Sequence, residues 1–188
     1  MVGWRDTAIG ELVEEYKYQS IRSASSDLAE ILDAVIPHLE GEVIVVPLPT
    51  IRKHIRERGF DHTKMVARKL ARRRGWKTQN ILIRRKNTVQ VGADNEQRKK
   101  QAKKAFELRS KVRNKAIYLL FDDIWTTGAS MMAGAELLKK GGAQKVFGAV
   151  IVVSRMQLFA SDNFGGAVFD ADSVKNKVDN SEGKNSDN

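Results

Sequence analysis

A chain of 188 residues with no cysteine cannot use disulfides, thiolate zinc sites or cysteine nucleophiles. Its 33 Lys and Arg against 23 Asp and Glu leave a formal net charge of +10, which points to a polyanionic ligand. Three histidines, His38, His54 and His62, are few for an imidazole metal cluster. The longest apolar run, residues 116–121, falls far short of the ~20 residues of a membrane span. Residues 1–20 hold Asp6, Glu11, Glu14 and Glu15 where a secretory signal needs an apolar stretch, so the expected location is the cytoplasm.

Ile9, Leu12, Val13 and Tyr16, and then Leu28, Ile31, Leu32, Val35, Ile36 and Leu39, recur at helical spacing and predict two amphipathic helices within residues 1–40. Ser26 or Asp27 is a candidate cap for the second, and Pro37 lies near its end. The β-branched run 43–46 meets Pro47 and Pro49, which end a central strand and release a loop over 48–59. A helix is expected over 60–74, with Phe60, Val66 and Leu70 inward and Gly75 as its stop. A short second strand follows at 81–83. The polar, basic stretch 84–115 is long for a connection and holds one candidate helical piece near 96–106. The best-defined strand is 117–121, followed by Asp122 and Asp123. A helix through Met131, Ala135 and Leu138 then runs to Gly141 and Gly142, before a last strand at 146–153.

Strand and helix alternate from residue 43 onward, which predicts an α/β fold with a parallel sheet flanked by helices. Ligands of such sheets bind beyond the carboxyl ends of the strands. Residues 1–155 are read as one domain and 156–188, rich in Ser, Asn, Gly and Asp, as a disordered C-terminal tail. Positive charge is concentrated in residues 50–115, which hold 23 Lys and Arg against 5 Asp and Glu.

The stretch that carries chemistry is Leu119, Leu120, Phe121, Asp122, Asp123, Ile124, Trp125, Thr126, Thr127, Gly128, Ala129 and Ser130. Backbone N–H groups at a helix N-terminus, with the hydroxyls of Thr126, Thr127 and Ser130, suit a phosphate monoester, and Gly128 lets the main chain come close. Adjacent carboxylates facing one ligand accept hydrogen bonds from vicinal sugar hydroxyls or hold a hard cation such as Mg²⁺. Phosphate beside a diol describes a ribose 5-phosphate. The plain structural alternative is that the two acids merely follow a strand and that Thr126 or Thr127 caps the next helix. No Walker A loop and no strand-following G-x-G-x-x-G is present.

The stretch 120–130 resembles the signature by which type I phosphoribosyltransferases bind phosphoribosyl pyrophosphate. Further pieces narrow the resemblance: Tyr16, Lys17 and Tyr18; residues 46–49; Arg58, Gly59, Phe60, Asp61 and His62; residues 84–90; Arg98 with Ala105 and Phe106; Gly142 and Ala143; Ser154 and Arg155. Together they resemble the ComF family, associated with DNA uptake in competent bacteria. The resemblance implies a type I phosphoribosyltransferase-like fold and a Mg²⁺-dependent transfer of phosphoribose to an acceptor. Asp122 and Asp123 would then bind the ribose hydroxyls, with Mg²⁺ bridging to the pyrophosphate, and act as the catalytic pair. Thr126, Thr127, Gly128, Ala129 and Ser130 would bind the 5-phosphate, Arg52 and Lys53 the pyrophosphate, and residues 87–104 would form a mobile lid. Unlike many family members, this chain has no cysteine-rich zinc module; it carries Phe121 and Trp125 where smaller aliphatic residues are usual and His62 where glutamine is common.

Three basic clusters remain: Arg72, Arg73 and Arg74; Arg84, Arg85 and Lys86; and Arg98, Lys99, Lys100, Lys103 and Lys104. A solvated face or a field that attracts pyrophosphate accounts for them. The competing expectation is a track for single-stranded DNA, with Trp76 and Trp125 as stacking faces. Two classes of function therefore follow, a phosphoribosyl-transferring enzyme and a non-catalytic ComF-like adaptor in DNA uptake or repair.

Overall fold

The computed structural model describes residues 3–4, 7–18, 22–85, 105–153 and 168–170. In chain order the elements are β1 (Gly3–Trp4), α1 (Ala8–Tyr18), α2 (Ala24–Val35), β2 (Val43–Pro47), α3 (Arg52–Arg58), α4 (His62–Arg73), β3 (Lys77–Thr78), β4 (Leu82–Arg84), β5 (Phe106–Leu108), β6 (Ile117–Trp125), α5 (Ala129–Lys140), β7 (Lys145–Val153) and β8 (Val168–Asp170). The main sheet has the order β1-β7-β6-β2-β3, all parallel, and β8 pairs antiparallel with β7. Helices α1, α2 and α4 cover one face, where Val13, Leu28, Leu32, Val66 and Leu70 pack on Val45, Leu119 and Ile151. On the other face Met131, Ala135 and Leu138 of α5 pack on Ile44, Leu120 and Val150, together with the small β4–β5 sheet. The expected α/β fold with its N-terminal helices is therefore the one observed.

Several boundaries follow from local chemistry. Helix α2 ends at Val35 because Ile36, which precedes Pro37, is extended at φ −75° and ψ 125°. Its cap is Ser23 without a side-chain hydrogen bond, not Ser26 or Asp27. Helix α4 is capped by Asp61, whose side chain accepts from the Lys64 N–H at 3.2 Å, and it stops where Gly75 takes φ +66°.

Four expectations need correction. Residues 48–59 are not wholly loop, because 52–58 form the short, exposed helix α3, so Arg52 and Lys53 stand on a helix. The strand near 81–83 does not join the main sheet; β4 pairs antiparallel with β5, and the edge place beside β2 goes to β3, too polar to stand out in the sequence. Phe106 belongs to β5 rather than to a helix, while 96–104 lie outside the described residues, as does the whole of the expected lid, 87–104. Strand β6 runs on through both acids to Trp125, because β7 is equally long and continues the ladder, Asp122 opposite Val150 and Trp125 opposite Val153. Of the segment read as a tail, Val168–Asp170 forms β8 and the remainder lies outside the described residues. No described helix is long and apolar enough to cross a membrane.

Candidate functional site

Strand β2 stops pairing with β6 at Pro47, opposite Phe121, and Leu48 N–H donates to the Phe121 carbonyl at 2.8 Å as the chain leaves the sheet. Beyond that point β6 continues alone beside β7. Asp122 through Trp125 therefore project past the carboxyl end of β2, where ligands of parallel sheets bind.

Alternation along β6 sends the two acids to opposite faces. Asp123 is only 6% exposed and lies on the side of α1 and α4. Its Oδ2 stands 2.5 Å from Lys17 Nζ and 3.0 Å from His62 Nε2. Neither approach is directed enough for a good hydrogen bond, so the oxygen is held by the ammonium charge and the imidazole N–H dipole. Oδ1 accepts the Ile124 N–H at 2.9 Å. Burial alone would raise the Asp123 carboxyl, but the contacts of His62 and Lys17 outweigh it and hold it well below the usual carboxylate range. Asp122 is half-buried on the side of the β4–β5 sheet, and its Oδ1 accepts the Asp123 N–H at 2.9 Å. Burial, and after it the negative charge of Asp123, pushes Asp122 well above its ordinary value. Arg84 is its electrostatic neighbour. The expectation that both carboxylates face one ligand is thus corrected: a strand presents neighbouring residues to opposite sides.

Residues not assigned a role from the sequence complete this buried cluster. Arg58 Nη1 lies 3.1 Å from His62 Nδ1, and since a guanidinium only donates, Nδ1 accepts and Nε2 carries the ring proton beside Asp123. The Tyr16 hydroxyl donates to the His62 carbonyl at 2.9 Å, and its ring packs on Phe60 with centroids 5.4 Å apart. Burial, followed by the charges of Asp123 and Asp61, raises the Tyr16 hydroxyl, which stays protonated. On the opposite face Arg84 Nε donates to the Pro49 carbonyl at 3.0 Å while its guanidinium lies over Phe106, so it ties the loop after β2 to the β4–β5 sheet. The sequence held the pieces, 16–18, 58–62 and 84–85, but no spacing shows that they converge on one strand end.

After Trp125 the chain turns through Thr126 and Thr127, both exposed, into Gly128, Ala129 and Ser130. Gly128 is the N-cap of α5, with φ +72° and no side-chain cap bond, so neither Thr126 nor Thr127 is the cap residue. Thr127 Oγ1 accepts from the Ala129 N–H at 3.4 Å, a long contact. The first intrahelical bond runs from the Met132 N–H to the Gly128 carbonyl, so the N–H groups of Ala129, Ser130 and Met131 precede the ladder. A Cβ on Gly128 would lie 2.2 Å from Cζ2 of Trp125, so the indole packs flat against this turn and only glycine fits. Arg52 and Lys53 are exposed on α3, where Lys53 Nζ lies 3.7 Å from Glu57.

The acid pair does not fit a jointly held Mg²⁺. One oxygen of each carboxylate accepts a backbone N–H, the second oxygen of Asp123 faces Lys17 and His62, and the two side chains diverge. Among the described residues no three His, Cys, Asp or Glu side chains gather as metal ligands.

The clusters read as a DNA track are partly spent within the fold. Arg73 contacts Glu30 and Asp33, and Arg74 binds the Asp33 side chain and the carbonyls of Asp33, Ile36 and Pro37, which clamps α2 to α4. Trp76 lies under Arg74 and Trp125 is 8% exposed, so neither offers a free stacking face. Arg85 pairs with Glu107, and residues 86–104 lie outside the described residues.

No protein-family model matches the chain, and no curated protein matches it significantly in sequence. Among solved structures, the fold is similar to a structure described as the allosteric regulatory enzyme of purine biosynthesis, with a TM-score of 0.50 and 18% identity. It is also matched to the glutamine phosphoribosylpyrophosphate amidotransferase from B. subtilis complexed with ADP and GMP, with a TM-score of 0.49 and 16% identity. Each match covers 73% of this chain but only 29% and 30% of the respective structure, so this chain corresponds to less than a third of either. The likeness is one of fold alone, a parallel sheet flanked by helices.

Proposed function

We propose that this chain is a phosphoribosyltransferase-like protein whose β6–α5 turn binds the 5-phosphate of a ribose phosphate, with phosphoribosyl pyrophosphate as the donor of a phosphoribosyl group to an acceptor. The observation that carries the reading is the uncapped start of α5: a left-handed glycine, two exposed threonine hydroxyls and N–H groups ahead of the helical ladder, at the carboxyl end of a parallel sheet. An oxyanion satisfies such N–H groups, and the helix dipole favours it. Asp122, half-buried four residues before Thr126, is the acid this reading assigns to accept from a ribose hydroxyl. Arg52 and Lys53 on exposed α3 supply charge for a pyrophosphate. Bond cleavage would then rest on positioning and on neutralising the leaving group.

A second reading, a ligand-binding module without transfer, of the kind an adaptor in ComF-like DNA uptake would be, is favoured by the commitment of Asp123 to Lys17 and His62, which leaves one acid for the ligand. Calorimetric titration of phosphoribosyl pyrophosphate against wild type and Thr127→Asp tests the shared claim. Thr127 is exposed, so the variant should fold normally while its carboxylate repels the phosphate. Binding by wild type that falls at least about tenfold in the variant, some 1.4 kcal/mol, is expected. Equal affinities would refute the site. Release of pyrophosphate when a nucleophilic acceptor is added to the bound donor, the acceptor's bond to the ribose carbon replacing the one to pyrophosphate, then separates transfer from binding alone.

A further inference from the structure

Lys17 is a charged residue from the N-terminal helix whose side chain is only 10% exposed, and its ammonium lies 2.5 Å from Oδ2 of Asp123. An ammonium is a compact, strongly hydrated charge, and burying it is favourable only beside a partner of opposite sign. The same oxygen is approached by His62 Nε2 at 3.0 Å, and His62 is fixed on its other side by Arg58 and, through its carbonyl, by the Tyr16 hydroxyl. Two turns of chain distant in sequence, 16–18 and 58–62, thus converge on one carboxylate. They fill the space that a cation would need on that side of β6.

We infer that Lys17 is the built-in counter-cation of Asp123, taking at this carboxylate the place that a divalent metal would otherwise hold, and that it acts as a positioning residue. The ammonium keeps Asp123 ionised and turned toward α1, and Asp123 in turn holds the Ile124 N–H at the start of the turn into α5. Asp122 alone is left to meet a ligand. Lys17 can hold this place at Asp123 whether or not the turn binds a sugar phosphate.

The test uses the full chain and Mn²⁺ alone, read as the amplitude of the free-ion spectrum in electron paramagnetic resonance, alongside the side-chain ammonium resonance of Lys17 in ¹⁵N NMR. Wild type is expected to leave the free Mn²⁺ signal undiminished. Its Lys17 resonance should be protected from exchange, lost in Asp123→Asn and unmoved by millimolar Mg²⁺. Lys17→Met, if circular dichroism shows it folded, should acquire a Mn²⁺ site that lowers the free signal, and Lys17→Arg should restore the wild-type result. A purely structural lysine would give no new metal site in the Met variant. Depletion of free Mn²⁺ by wild type, abolished in Asp123→Asn, or displacement of the Lys17 resonance by Mg²⁺, overturns the assignment. If Lys17→Met does not fold, the two wild-type measurements decide alone. Because no sugar phosphate is present, failure here is distinct from failure of the proposed ligand site.

Discussion

Asp122 and Asp123 share a peptide bond, yet their surroundings push their carboxyl groups in opposite directions, up by burial and a like charge for Asp122, down by His62 and Lys17 for Asp123. Each shift has its own sign in stability. A carboxyl held low in the folded state contributes stability that is present above the ordinary unfolded value of about 3.9 and is lost as pH falls through the folded value. A carboxyl held high contributes stability that is present below that unfolded value and is lost as pH rises through the folded one. Asp122 therefore weakens the fold at neutral pH while Asp123 strengthens it. Urea denaturation at pH 7 should show Asp122→Asn more stable than wild type and Asp123→Asn less stable by about 3–5 kcal/mol, since the latter leaves Lys17 buried without a partner. Asp122→Asn should also flatten the loss of stability between mildly acidic and neutral pH. The same direction of change in both variants would contradict the electrostatics described. From the sequence the pair was legible as acids at a strand end. Their divergence was not, because it depends on how far β7 carries β6 beyond Pro47.

The turn between β6 and α5 is built from one steric relation, the indole of Trp125 against Gly128. Gly128→Ala must accept a left-handed backbone, at about 1–2 kcal/mol, and a Cβ inside the indole's contact distance, an overpacking of about 1–3 kcal/mol. A melting temperature lowered accordingly, with part of the loss recovered in the double variant Gly128→Ala with Trp125→Leu, would establish the packing. Additive losses would argue against it. The pairing of α2 with α4 rests in a similar way on Arg74, which binds an acid and three carbonyls. Arg74→Ala should cost about 1–3 kcal/mol in chemical denaturation. A negligible loss would return this arginine to the surface field. Periodicity made α1, α2, α4 and α5 readable, because each buries one apolar stripe. It could not find α3, with no buried residue, or β3, a strand of one lysine and one threonine beside β2. Nor could it place β4, whose apolar residues serve a second small sheet.

For the molecule as a whole, alternation of strands and helices from residue 43 sufficed to give the parallel α/β sheet. The acid and threonine run then placed the candidate site at its carboxyl end. What the linear order could not convey is the convergence of α1, α4 and β4 on that end, since Lys17, His62 and Arg84 lie far from Asp122 and Asp123 in sequence. Part of the basic charge reads differently once folded, because Arg73, Arg74, Arg84 and Arg85 hold elements together, while residues 86–104 lie outside the described residues. The central claim, that the start of α5 receives a phosphate, is tested most directly by ¹H–¹⁵N NMR of the backbone amides during titration with ribose 5-phosphate. The largest shifts are expected at Thr127, Gly128, Ala129 and Ser130, saturating together and reduced in Thr127→Asp. A protein whose amides there stay unmoved while others respond, or in which none respond, would contradict it.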